Sequence, residues 1–176
     1  MQRDLFGDLP EHTARHGVLP QLREILGQTM RSDETTHCSF RSATPDDMPW
    51  ICECIHEFRL DDENLDFRQF IVAERQGRSV GFGRIKPYQE VSELGCVGVL
   101  KTERASGTGA RIVRELIRRF PSREVYITTD LIDYFEKLGF RRLDTPPLEL
   151  AAKLKRIEGR IRSGVAAMIL VRQDHS

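Results

Sequence analysis

The hydrophobic and polar positions become regular from residue 38 onward. The segment CSFRSA (38–43) alternates as a short strand does. Thr44 is suited to capping the start of a helix. The residues that follow it have apolar side chains at helical spacing, at Ile51, Ile55 and Phe58. The pattern predicts a short strand followed by an amphipathic helix.

Two further strands and a buried one are predicted next. The β-rich runs FIVAE (70–74) and SVGFGRIK (79–86) are joined by RQGR, which favours a hairpin with Gly77 in the turn. The run VSELGCVGVL (91–100) is apolar almost throughout toward its end. Such a run is typical of a strand buried on both faces.

The second half of the chain alternates helices and strands. One apolar helical face is formed by Val113, Leu116, Ile117 and Phe120. Further strands are expected at EVYITT, FRRLD and AAMILV, and further helices at LIDYFEKLG, which Gly139 ends, and at LELAAKLKRIEGRIRS. Because a β-rich meander precedes a β-α-β-α-β series, we expect an α/β fold around one mixed sheet.

The first residues differ in character from the rest. Within residues 1–36 only LPQLREILGQTM (19–30) has helical periodicity, among several prolines and glycines. We interpret 1–36 as an N-terminal extension with one helix, and 37–176 as the folded domain. A chain of 176 residues suits one domain with a sizeable core.

Composition excludes several classes of protein. Lys plus Arg and Asp plus Glu both number 27, so no net charge draws the chain to nucleic acid or to an anionic membrane. No stretch approaches the ~20 apolar residues of a membrane helix, and the start lacks the pattern of a signal peptide. The four cysteines lack the spacing of a secreted scaffold, which predicts a cytoplasmic protein with free thiols.

The segment CECIH invites comparison with a zinc site. On a helix Cys52 and His56 share one face while Cys54 points away, and no second ligand pair follows at zinc spacing. We therefore expect core cysteines on a half-buried helix and no metal.

The segment RASGTGAR (104–111) stands between the buried strand and a helix. Glycine at a helix start costs stability, so a sharp turn or a ligand close to the backbone is needed to account for Gly107 and Gly109. Backbone N–H groups and the helix dipole make such a place suitable for an anion. The segment is neither a Walker loop nor a full G-x-G-x-x-G, because Ile112 stands at the third glycine position.

This loop, with ELGCVGV before it and YFEKLGF after it, resembles the GNAT superfamily of N-acetyltransferases over about residues 38–172. In that family the R/Q-x-x-G-x-G/A turn holds the pyrophosphate of acetyl-coenzyme A. The resemblance implies a GNAT fold with a mostly antiparallel central sheet flanked by helices, and acetyl-coenzyme A as cosubstrate. The pyrophosphate contacts carried over are Arg104 and the amides of Gly107, Thr108, Gly109 and Ala110.

Arginines crowd the helix after this loop. Arg111 or Arg114, near the helix start, would suit the 3′-phosphate of coenzyme A. The alternative is a solvated face, on which Glu115 lies among Arg118 and Arg119.

The buried strand gains a role from the resemblance. In the family this strand separates from its neighbour and pairs with pantetheine, at positions that Val97 and Val99 match, with Cys96 and Val97 near the thioester carbonyl. An amide at Val97 aimed at the carbonyl oxygen would stabilise a tetrahedral intermediate. A plain core strand is the alternative, and Gly98 then marks a close approach or a bulge.

A carboxylate at the start of this strand is the candidate general base. Glu93 matches the glutamate that some GNAT enzymes use to take a proton from the acceptor ammonium. Glu90 is an alternative three residues earlier, and a solvated charge at a strand end is the other interpretation.

At the position of the general acid, this sequence departs from the family pattern. Many members carry a tyrosine in F-Y-x-K-x-G-F that protonates the departing thiolate, and Phe135 occupies its position here. Tyr134 is one residue away, rotated by about 100° around a helix. It would serve as the acid only if the helix start is shifted; otherwise we expect packing or a place at the rim.

Two segments point to different acceptors. The acidic run DDENLD (61–66) would favour a cationic acceptor. The segment 146–163 would attract a carboxylate through its basic residues, which are Lys153, Lys155, Arg156, Arg160 and Arg162. Its placement after YFEKLGF is similar to that in glutamate N-acetyltransferases.

The function expected is acetyl transfer to a primary amine, in a small amine or amino acid, by direct attack in a ternary complex. A protein N-acetyltransferase and a non-catalytic acyl-CoA-binding regulatory module are the alternatives. A homodimer is a further expectation, because family members often dimerise.

Overall fold

The computed structural model describes residues 38–104, 106–157 and 164–172. The predicted N-terminal helix lies outside them. Seven strands are found in these ranges: β1 (Ser39–Ser42), β2 (Phe70–Arg75), β3 (Arg78–Pro87), β4 (Ser92–Val99), β5 (Glu124–Thr129), β6 (Arg141–Arg142) and β7 (Ala166–Val171). The α-helices there are α1 (Met48–Glu57), α2 (Thr108–Arg119), α3 (Ile132–Lys137) and α4 (Leu148–Ile157).

The strands of the described residues form one sheet in the order β1-β2-β3-β4-β5-β7-β6. Only β4 and β5 run parallel; the other neighbours are antiparallel. The expected mixed, mostly antiparallel sheet is confirmed. The strand predicted at FRRLD is shorter than its pattern, since only Arg141 and Arg142 pair with β7.

The first helix begins as its sequence predicts, with one difference. The carboxylate of Asp47 accepts hydrogen bonds from the backbone N–H and the hydroxyl of Thr44, at 2.7 and 2.8 Å. The first turn, Pro45–Asp47, is a 3-10 helix, and α1 starts only at Met48. Ile51 and Ile55 are fully buried, so the predicted apolar face is the one that packs.

The two faces of the sheet carry separate cores. Ile112, Val113 and Leu116 of α2 pack on one face, together with α3. Helix α1 packs on the opposite face against β2 and Phe82. Helix α4 packs against the side chains of Tyr126 and Ile169. The next residues along the same strands, Val125 and Met168, point to the other face of the sheet and belong to the core under α2. Because strand side chains alternate, α1 and α4 lie on the same face of the sheet.

A β-bulge interrupts β4 between these cores. Phe82 pairs with Gly98 and Arg84 with Gly95, so Cys96 and Val97 together oppose the single residue between them on β3. Cys96 adopts a left-handed conformation, with φ +46°. A bulge of this kind redirects the following side chains. It turns Val97 toward the α2 face and leaves Gly98 on the α1 face.

Gly98 is required by close packing. A Cβ atom at this position would lie 2.5 Å from Cζ and 2.6 Å from Cε1 of Phe82. The Phe82 ring is fully buried and packs edge-on against Trp50. The predicted close approach at Gly98 is therefore found, one residue beyond the bulge pair.

Replacing Gly98 by alanine is expected to destabilise the fold by about 1–3 kcal/mol, because the Phe82 ring must move within a packed core. The free energy of unfolding, measured by urea denaturation, checks this. A Phe82→Leu background removes the two clashing ring atoms, so the cost of Gly98→Ala should fall there. An equal cost in both backgrounds would contradict the explanation.

Candidate active site

The parallel neighbours β4 and β5 separate along their length. Their pairing is confined to Glu93 with Tyr126 and Leu94 with Ile127. Strand β5 then continues alongside β7 to Thr129, while β4 continues alongside β3 to Val99. Among the described residues, β4 beyond Leu94 therefore has no strand partner on its β5 side. Val97 and Val99 lie in this stretch and are buried.

The glycine loop follows at the end of β4. Gly107 precedes α2 with φ +74°, a left-handed conformation that favours glycine, and nothing lies within 4 Å of the position of a Cβ atom. The first intrahelical bond runs from the N–H of Arg111 to the carbonyl of Gly107, at 3.1 Å. The N–H groups of the first turn, from Thr108 to Ala110, come before that bond and are available to an anion.

An arginine from β2 braces this loop. Nη2 of Arg75 donates to the hydroxyls of Ser106 and Thr108, at 3.3 and 3.2 Å, and Nη1 is paired with the carboxylate of Glu103. The two hydroxyls are themselves 2.7 Å apart, and Ser106 also donates to the carbonyl of Glu103. Arg75 thus fixes both sides of the turn, a role that the sequence pattern did not indicate.

The arginines of the glycine loop and of α2 differ in their surroundings. Nε of Arg104 donates to the carbonyl of Val99 at 3.3 Å, and its guanidinium lies over the ring of Phe58. Arg118 and Arg119 both bind Glu115, which matches the solvated-face interpretation for these two. Arg111, in the first turn of α2, is half-buried beside the loop.

Glu93 lies at the point where β4 and β5 separate, and only 1% of it is exposed. Nζ of Lys153, from α4, donates to both carboxylate oxygens at 2.8 Å. The hydroxyl of Tyr88 donates to Oε2 at 2.9 Å. The alternative candidate, Glu90, is exposed in the connection between β3 and β4. Of the two, Glu93 alone lies in the interior, and it is not the solvated strand-end charge considered from sequence.

The ion pair belongs to a larger buried cluster. Lys153 also approaches Asp61 at 3.4 Å, and Asp61 binds Lys86 at 3.0 Å. Arg84 lies beside them and is 1% exposed. A small pocket opens among these groups, and its lining consists of Asp61, Arg84, Lys86, Glu93, Gly95, Cys96 and Lys153.

The charges of the cluster stabilise one another. Burial alone would raise the pKa of Asp61, but Lys153, the N–H of Glu63 and Lys86 outweigh it and hold that pKa at about 2. Burial opposes charge on Lys153, yet the carboxylates of Glu93 and Asp61 raise the pKa of this lysine. Asp61 and Lys153 are therefore ionised near neutral pH.

The thiol of Cys96 is a neutral member of the lining. Burial, followed by the charge of Asp61, raises the pKa of Cys96 to about 11, although Arg84 lowers it in part. The thiol donates to the carbonyl of Asp61 at 3.1 Å. A protonated, buried thiol is a poor nucleophile, so Cys96 contributes shape and backbone to the site.

The sequence interpretation of the acidic run 61–66 is that its charges favour a cationic acceptor, and the first of those charges is not available for that. Asp61 is buried and neutralised by Lys86 and Lys153, so it does not offer a charge to a cationic acceptor. The exposed carboxylate of Glu63 is paired with Lys86 and Arg156. Arg160 and Arg162 lie outside the described residues.

Tyr134 is a core residue rather than a rim residue. It is 2% exposed and packs edge-on against Phe135, with ring centroids 5.0 Å apart. Burial raises the pKa of its hydroxyl to about 12. Tyr134 does not line the pocket around Glu93.

Three side chains of the cluster were missed from the sequence: Tyr88, Arg84 and Lys86. A signal for two of them was present, because Phe82, Arg84 and Lys86 alternate along β3 and so share one face. Phe82 marks that face as buried. A basic residue on a buried face needs partners, and those come from distant segments.

Comparison with known proteins decides the family. The family model described as "Acetyltransferase (GNAT) family" matches residues 22–140, more than half of the chain. The chain belongs to the GNAT family of acetyltransferases. The match begins within the predicted extension 1–36, and the boundary at 36/37 stays a prediction. No curated protein sequence matches the chain.

Solved structures share the GNAT fold. The N-acetylglutamate synthase of Neisseria gonorrhoeae, complexed with coenzyme A and N-acetyl-glutamate, is 20% identical with a TM-score of 0.63, over 78% of this chain and 36% of that one. Rv2747 of Mycobacterium tuberculosis, in complex with CoA, is 21% identical with a TM-score of 0.61, over 77% of this chain and 99% of that one. The ribosomal-protein-S18-alanine N-acetyltransferase of Escherichia coli is 13% identical with a TM-score of 0.55, over 78% of this chain and 96% of that one.

These likenesses show the fold and leave the acceptor open. This GNAT chain spans about a third of the length of the synthase. Within the described residues, no helix is long and apolar enough to cross a membrane. No group of three His, Cys, Asp or Glu residues in the same ranges is arranged to hold a metal ion.

Replacing Arg75 by alanine is expected to weaken coenzyme A binding about tenfold, because the hydroxyls of the glycine loop lose the side chain that fixes them. Isothermal titration with coenzyme A checks this, with Arg78→Ala as the matched control on an exposed position of the adjoining hairpin. Equal affinity in the two variants would contradict a bracing role for Arg75.

Proposed function

We propose that this GNAT protein transfers the acetyl group of acetyl-coenzyme A to the primary amine of a small acceptor, and that the acceptor is an amino acid. The observation that carries the proposal is the buried carboxylate of Glu93 at the point where β4 leaves β5. The open side of β4 and the first turn of α2 lie on either side of the loop that begins at Leu100, so one elongated cosubstrate reaches both.

The cosubstrate fits backbone groups that the fold leaves available. Pantetheine would pair with β4 near Val97 and Val99, and the pyrophosphate would bind the N–H groups that follow Gly107. Arg104 and Arg111 are the side chains proposed to assist, with Cys96 contributing backbone at the thioester. An N–H group at Val97 would stabilise the oxyanion that forms when an amine attacks the carbonyl.

Glu93 is proposed as the general base. A carboxylate has about four acceptor positions on its two oxygens, and Lys153 and Tyr88 use three of them. One position on Oε1 therefore remains for the acceptor ammonium or for a water between them. Because an ammonium with a pKa of ~10 is mostly unreactive near neutrality, removal of its proton is the step that needs a base.

The departing thiolate needs less assistance. Tyr134 is held in the core with a pKa of about 12, and Phe135 occupies the position of the family tyrosine. A thiol has a pKa near 8.5, so a thiolate leaves without full protonation in the transition state and is protonated by solvent. We therefore assign no acid role to Tyr134 in the proposed mechanism.

A second function is favoured by one observation. Both oxygens of Glu93 are already engaged by Lys153, as they would be in a purely structural ion pair. Together with Phe135 at the tyrosine position, this is what a non-catalytic acyl-CoA-binding module would show. Turnover separates the two proposals, because such a module binds coenzyme A and acetylates nothing.

Replacing Glu93 by glutamine is expected to lower kcat about 100-fold or more while the affinity for coenzyme A is kept, because the base is lost and the backbone sites are not. Thiol release from acetyl-coenzyme A, with each amino acid as acceptor, measures the rate. Glu90→Gln is the matched control, since this glutamate lies exposed in the connection just before β4. Full turnover in Glu93→Gln would exclude Glu93 as the base.

A further inference from the structure

Arg84, a buried cation of the pocket, has one nitrogen whose hydrogen-bond donors are not used by any described residue. Nε of Arg84 donates to Oε1 of Gln69 at 2.8 Å, and Nη2 donates to the carbonyls of Glu63 and Asn64 at 2.8 and 2.7 Å. The third nitrogen, Nη1, is buried and has no hydrogen-bond partner in the described part of the chain. Its donors belong to a residue that lines the pocket beside Glu93.

The other cations of the pocket are already matched by carboxylates. Lys153 binds both oxygens of Glu93, and Lys86 binds Asp61. The partners of Arg84, in contrast, are neutral: amide and carbonyl oxygens, and the nearby thiol of Cys96. Three cations therefore face two anions in the lining, and the unmatched charge is that of Arg84.

A buried arginine without a counter-ion is costly. An unpaired charge in the interior loses the solvation that water gives it unless an anion or a set of dipoles replaces the water. Three of the donors of Arg84 are satisfied, and those bonds hold the guanidinium rigidly against the 63–64 backbone. The remaining nitrogen is thus fixed in place before any ligand arrives, which lowers the entropic cost of binding one.

We propose that Nη1 of Arg84 binds a carboxylate of the acceptor, so that the protein acetylates amines that carry a carboxylate in preference to amines that do not. This inference rests on the proposed function and names its substrate class. The amine of the acceptor then lies at Oε1 of Glu93 and its carboxylate at Nη1 of Arg84, and the small pocket between them widens to admit it.

The charge balance selects a carboxylate over other anions. A single surplus positive charge is neutralised by one carboxylate, whereas a phosphate group brings nearly two negative charges close to Asp61 and Glu93. A polyamine would add positive charge to a pocket that already has an excess. With only Nη1 available, one oxygen of the carboxylate accepts a charge-assisted hydrogen bond from it, which is stronger than a bond to a neutral acceptor.

The first test uses the unaltered protein with matched acceptors. Each set holds an amino acid, its α-carboxamide and the amine without the carboxylate: alanine, alaninamide and ethylamine; leucine, leucinamide and isoamylamine; glutamine, glutaminamide and 4-aminobutanamide. We expect kcat/KM for the best α-amino acid to exceed that of its amide and amine by about 10-fold to 100-fold, the range of one hydrogen bond to a charged group. Equal values within every set would overturn the inference and leave the proposed function standing.

The second test removes the nitrogen and keeps the charge. Arg84→Lys should raise KM for that amino acid about tenfold or more, change kcat less, and remove the preference for the acid over its amide. Arg41→Lys is the matched control. Arg41 lies on β1, away from the pocket, and is paired with Asp47 and Glu74. An unchanged preference in Arg84→Lys would mean that Nη1 is satisfied by a buried water, and the inference would be wrong.

Binding measurements decide the inference when turnover or folding fails. If Arg84→Lys does not fold, or if no acceptor is turned over, the unaltered protein saturated with coenzyme A is titrated with the N-acetylated form of each amino acid and with the corresponding amide. Tighter binding of the acids supports the inference. Equal binding, or none, overturns it. Absence of turnover itself counts only against the proposed function.

Discussion

Burial of charge on one face of the sheet is the constraint on which the site depends. Five ionisable side chains there are at most 6% exposed, and they are Asp61, Arg84, Lys86, Glu93 and Lys153. Removing an ion from water costs several kcal/mol, so each must be met by an opposite charge or by several dipoles. The contact of Glu93 with Lys153 joins β4 to α4, and that of Lys86 with Asp61 joins β3 to the connection after α1. The same contacts that permit burial therefore assemble the walls of the pocket.

The backbone around the cluster departs from continuous strand pairing and packing at three places. Strand β4 stops pairing with β5 after Leu94 and has a β-bulge at Cys96. At Gly98 the Phe82 ring packs directly against its backbone. Each departure forgoes hydrogen bonds or side-chain packing that a plain core strand would keep. The glycine loop follows within ten residues, so backbone N–H groups of the strand and of α2 are presented along one path.

Most elements of the fold could be predicted because each leaves a regular apolar pattern in the sequence. The β-rich runs of β2 and β3, the apolar run of β4 and the helical spacing of Val113 and Leu116 predicted elements that the structure confirms. The charged cluster was not predictable in the same way. Arg84 and Lys86 share the buried strand face of Phe82, but the sequence does not name their partners: only tertiary packing brings Asp61, 25 residues away, to Lys86, and Lys153 to Asp61. Glu93 was found through the family pattern, whereas Tyr88 was missed and Lys153 was expected to attract a carboxylate of the acceptor, not that of Glu93.

The most direct measurement of the central claim is acceptor-dependent release of coenzyme A thiol from acetyl-coenzyme A, with mass spectrometry of the products. The account predicts that one class of amino acid yields an N-acetyl derivative in one-to-one ratio with free thiol, over a background without acceptor. Binding of coenzyme A with no acceptor-dependent thiol release across the amino acids would contradict it. The buried cluster would then be a structural ion network in a binding module.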